Sequence, residues 1–96
     1  MRTSLPSEAV KNYHFQMIDL ARAAIRGQPV SDRYLRGTTI PIRRADYEKA
    51  VKIVENAHRQ LQELGVDEGA DDIYQLNSQL FRLTRRAKSA DEVPLH

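Results

Sequence analysis

His14, His58 and His96 are the first side chains in this chain able to bind a metal or carry a proton. His14 and His58 each fall among apolar residues at helical spacing, and such a ring reads as packed or half-buried rather than as a ligand. No H-E-x-x-H pair, no D-x-D-x-D-G calcium loop and no G-x-x-x-x-G-K-S/T phosphate cradle occurs. Cysteine is absent, which removes thiolate nucleophiles, disulfides and thiolate metal sites together. No serine stands in a glycine-flanked elbow. Asp71 and Asp72 are adjacent carboxylates, but in an acidic, glycine-containing loop they solvate a turn rather than share a proton. The reading is therefore non-enzymatic, with no catalytic residue, no metal and no cofactor.

A row of amides is the more informative chemistry. Residues 71–84 hold no glycine and no proline, and β-forming residues stand at both ends. With a period of two they split into unlike faces. Tyr74, Leu76, Ser78 and Leu80 make one row, largely apolar. Ile73, Gln75, Asn77, Gln79, Phe81 and Leu83 make the other, with three amides between apolar ends. Each amide offers two donors and an acceptor, a face suited to a partner surface, a ligand or water. The pattern predicts one long strand, longer than the usual 5–6 residues. Such a strand needs an edge to pair with, and the chain offers little.

Stepping along the chain, residues 1–6 form a loose lead-in. Val10, Tyr13, His14, Met17, Ile18, Leu20, Ala21, Ala24 and Ile25 recur at steps of three and four, so an amphipathic helix is expected over 8–26. Ser7 is placed to cap it, and Gly27 with Pro29 to end it. Thr38, Ile40 and Ile42 alternate with Thr39 and Pro41, predicting a short strand that Pro41 confines to an edge. Tyr47, Ala50, Val51, Val54, Ala57, His58, Leu61 and Leu64 keep helical register across 45–64, with Gly65 as a left-handed cap. Residues 66–72 form an acidic loop, and 87–96 a flexible tail.

Helix, strand, helix, strand is the order of a crossover unit, whose two strands run parallel if they are neighbours. It predicts an α+β fold, a two-layer sandwich with both helices on one face and a small sheet completed by self-association. Tyr74, Leu76, Leu80, Ile40, Ile42, Met17, Leu20, Val51, Val54 and Leu61 are its expected core.

Ninety-six residues suit a single domain, 1–96, and 41% hydrophobic with 29% charged residues is globular composition rather than disorder. No apolar run is long enough to cross a membrane and no basic-then-apolar leader opens the chain, so a soluble, cytoplasmic protein is expected. The net charge of +2 hides a segregated distribution. Glu63, Asp67, Glu68, Asp71 and Asp72 crowd one stretch, while Arg82, Arg85, Arg86 and Lys88 follow the long strand. Arg43 and Arg44 follow the short one. With parallel strands, Arg43, Arg44, Arg82, Arg85 and Arg86 would share one end of the sheet and could contact phosphate. Tyr74 and Phe81 fall on opposite faces and make no stacking platform, so nucleic acid is the second reading, an accessory contact without base readout.

The last stretch, Asp72-Ile73-Tyr74-Gln75-Leu76-Asn77-Ser78-Gln79-Leu80-Phe81 with Leu83-Thr84, resembles the closing motif of the bacterial domain-of-unknown-function family numbered 4423. Tyr13-His14, Met17, Leu20-Ala21, Ala24-Ile25, Asp32-Arg33, Thr39-Ile40 and the long charged second helix fit the same family. The resemblance spans roughly residues 10–85. It implies no reaction, since the family has no established activity. Its longer members resemble transcriptional regulators with a helix-turn-helix-like part ahead of this portion, which implies a stand-alone version or a fragment of such a regulator. Ser78 stands where the family has an apolar residue, and Arg82 where a proline is common.

The expected function is a non-enzymatic self-association or sensing domain of a bacterial regulator, forming a homodimer through the long terminal segment or binding another regulatory protein. Ile73, Gln75, Asn77, Gln79, Phe81 and Leu83 are its expected interface.

Overall fold

The computed structural model of the chain describes residues 6–85. They contain two α-helices, α1 over Ser7–Gly27 and α2 over Tyr47–Leu64, and short 3-10 turns at Val30–Asp32 and Arg44–Asp46. No strand stands among the described residues. The α+β sandwich expected from the alternating patterns is thus not the fold. The physical reason lies in what a strand is. A helix closes its hydrogen bonds within one segment, whereas a strand needs a second edge. Both 38–42 and 71–84 carry strand-like alternation, yet neither is part of a ladder.

The chain divides into two compact units at the Pro41–Ile42 bond, Met1–Pro41 and Ile42–His96. In the first unit α1 begins one residue earlier than Ser7 capping would allow. Pro6 occupies the capping position and has no side-chain oxygen to offer, while Ser7 is the first helical residue. Glu8 still places a negative charge in the first turn, where the helix dipole favours it, and pairs with Lys11 at 3.6 Å. Gly27 remains helical, and the chain turns extended at Gln28, whose N–H reaches the Ala24 carbonyl at 3.0 Å.

Arg33 completes that end. Its Nη1 donates to the carbonyls of Ile25 at 2.9 Å and Gln28 at 2.5 Å. The last carbonyls of a helix have no partners of their own, and a guanidinium both satisfies them and opposes the negative pole. The 3-10 turn Val30–Asp32 brings Arg33 back to the helix end.

In the second unit α2 is entered through the 3-10 turn Arg44–Asp46. Asp46, the last residue of this turn, stands at the capping position. The turn directs the Asp46 amide to the Arg43 carbonyl at 2.8 Å, and the Tyr47 amide to that of Arg44. Asp46 makes no side-chain cap bond. Its carboxylate lies 3.5 Å from Lys49 and 3.9 Å from Arg43, and supplies negative charge at the helix start. Gly65 ends α2, but with φ −64° and ψ 152° it is extended, not left-handed. Its value is space: a Cβ there would meet the Gln62 carbonyl oxygen at 3.1 Å.

The helical stripes are present and only half covered. Met17, Ile18, Ala21 and Ala24 on α1, and Ala50, Val51, Val54 and His58 on α2, are half-buried. No described residue is fully buried. Of the expected core, Met17, Val51 and Val54 are half-buried, while Leu20, Ile40, Ile42, Leu61, Tyr74, Leu76 and Leu80 are exposed. The missing sheet explains the difference, because those residues were to be covered across it.

Candidate association surface

The expected interface residues belong to the non-helical stretch that follows α2. The acidic loop leading into it turns at Gly69, whose φ of +84° lies in the left-handed region open mainly to glycine. Beyond it, 71–84 is tethered to α2 near its middle. His58 Nε2 and Ser78 Oγ share a hydrogen bond of 2.7 Å. His58 reaches it from the half-buried stripe of α2, next in helical order after Val51 and Val54. The helical period placed His58 on that stripe; what it would touch came only with the fold.

Ser78 departs from the apolar residue that the family resemblance implies, and its hydroxyl explains how the departure is accommodated. In place of an apolar side chain against the helix it forms a polar contact. That contact holds a half-buried imidazole, which would otherwise lose a partner on leaving water. The two rings His14 and His58 lie in different units, and His14 stacks edge-on against Tyr13 with centroids 5.2 Å apart.

The amide row has its own bond. Gln75 Nε2 donates to Asn77 Oδ1 at 3.0 Å, which brings these two amides together. Asn77 is half-buried; Gln75 and Gln79 are exposed. Around them the apolar members are open. Ile73 is 98% exposed, Phe81 70% and Leu83 63%, and on the other row Tyr74 is 76% exposed. The structure therefore brings Gln75 to Asn77 and Ser78 to His58, and leaves Ile73, Phe81 and Leu83 as open apolar surface.

The arginines expected to meet phosphate are distributed differently. Arg43 pairs with Asp46 at the start of α2. Arg82 and Arg85 close the 71–84 stretch, and Arg86 lies outside the described residues. Their gathering at one end was expected from parallel strands, and no strand stands among the described residues. Arg33 serves the end of α1. Among the described residues no group of three or more His, Cys, Asp or Glu side chains is placed to hold a metal ion. None of the described helices is long and apolar enough to cross a membrane.

Comparison with known families matches residues 1–83 to a domain of unknown function, DUF4423. The chain belongs to this family. The match covers both helices and nearly all of the terminal stretch, so the resemblance carried by residues 72–84 extends over most of this DUF4423 chain. Neither curated proteins nor solved structures give a match. For this DUF4423 domain, function has to be argued from its own surfaces.

Proposed function

We propose that the chain is a non-enzymatic association domain of a bacterial regulator, and that it functions as a homodimer built on the 71–84 stretch. One observation carries this reading: the described residues show apolar stripes and an apolar-amide surface with no fully buried side chain. Burying apolar area contributes about 25 cal/mol per Å², the main favourable term in folding and association alike. A sequence with two well-formed amphipathic helices and many open apolar side chains gains most of that term only when another surface covers it. A second copy supplies the same surface in return, and twofold dimers are the commonest closed assemblies. The regulatory setting follows from the resemblance of longer family members to regulators.

Light scattering over a range of concentrations tests the reading, with Asn77→Arg as the variant. Arg at a half-buried position beside the Gln75 amide places an unpaired charge within the surface. The wild-type chain gives a dimer mass, and Asn77→Arg a monomer with unchanged helical circular dichroism. A variant that assembles like wild type places the interface elsewhere.

A further inference from the structure

The charges bordering the association surface fix how two copies would face each other. Asp67, Glu68, Asp71 and Asp72 precede it, Arg82 and Arg85 close it, and from Ile73 to Phe81 no residue is charged. The uncharged middle is where Ile73, Tyr74 and Phe81 stand open. Among the described residues no ion pair holds Asp71 or Asp72.

A twofold axis can meet such a segment in two ways. If it runs along the segment, the copies lie parallel and acid faces acid, base faces base. If it runs across the middle, they lie antiparallel and each acidic start faces the partner's basic end. Like charges held against one another oppose association, and opposite charges favour it and set orientation. The segment is its own complement only when reversed.

We propose that two copies of this chain dock with residues 71–85 antiparallel, Asp71 and Asp72 of one copy against Arg82 and Arg85 of the other. This deepens the self-association reading and depends on it. The ligand of the surface is then the same surface on a second copy, turned around. The apolar middle contributes affinity, and the charged ends exclude the parallel arrangement.

The experiment compares dimer dissociation constants, by sedimentation at low salt, for four full-length chains. They are wild type, Asp71→Lys with Asp72→Lys, Arg82→Glu with Arg85→Glu, and all four substitutions in one chain. Antiparallel docking makes each two-site reversal repulsive at both ends, weakening the dimer by about tenfold or more, and the four-site chain regains wild-type affinity. Recovery in the most heavily substituted chain also shows that the two-site chains are not simply unfolded. Parallel docking keeps like against like in all four chains. Four equal constants, or a four-site chain as weak as the two-site ones, overturn the antiparallel arrangement and leave self-association standing. A monomeric wild type overturns the self-association reading, and the orientation with it.

Discussion

Ser78 and His58 show how one polar contact can tie a non-helical stretch to a helix. The hydroxyl and the imidazole are twenty residues apart and meet at 2.7 Å, tying the terminal stretch to the half-buried side of α2. Replacing Ser78 with Ala removes the hydroxyl and leaves the imidazole half-buried without it, at a cost of about 1 kcal/mol. The expected outcome is a lower midpoint in urea, together with faster amide exchange across 72–84 and little change within α2. Equal exchange in the two proteins would mean that the bond does not hold the stretch. Replacing Ser78 with Val should recover part of the loss through packing. None of this is legible from spacing alone, because a side chain's partner twenty positions away depends on how the chain returns.

At the scale of elements, legibility follows the range of the interactions that define each one. Both helices were readable because their bonds and apolar periodicity are local, and their boundaries came within a few residues of the pattern. The strands were not, because alternation in 38–42 and 71–84 describes a surface that needs an edge, and an edge is a property of the whole chain. Termini fall between these cases. Gly27, Gly65 and Gly69 all follow or border helical segments, yet only Gly69 takes the left-handed conformation. Spacing assigns Arg33 no partner, and only the turn at Val30–Asp32 brings it to the carbonyls at the end of α1. Arg33→Ala should cost about 1 kcal/mol and raise amide exchange in the last turn of α1. Arg33→Lys keeps the charge near the negative pole and should retain part of the effect. If Ala and wild type exchange alike over residues 24–28, the guanidinium is not what holds the helix end.

For the molecule as a whole, the open apolar surface makes stability a question of concentration. Helices of 21 and 18 residues draw most of their stability in proteins from packing an apolar face, and here those faces are half-buried at most among the described residues. If a second copy supplies the cover, association adds to the stability of helices already formed in each copy, and the melting temperature rises with protein concentration. A tenfold increase adds about 1.4 kcal/mol per mole of dimer. With an unfolding entropy of about 2.1 cal/mol/K per residue over both copies, that shifts Tm by about 3.5 °C. Calorimetry from micromolar to millimolar chain should therefore show a rise of about 10 °C in wild type and none in Asn77→Arg. A wild-type Tm independent of concentration would mean that each copy completes its fold alone. If two copies pair through residues 71–85, the rise marks the concentration at which that surface passes from water to a second copy.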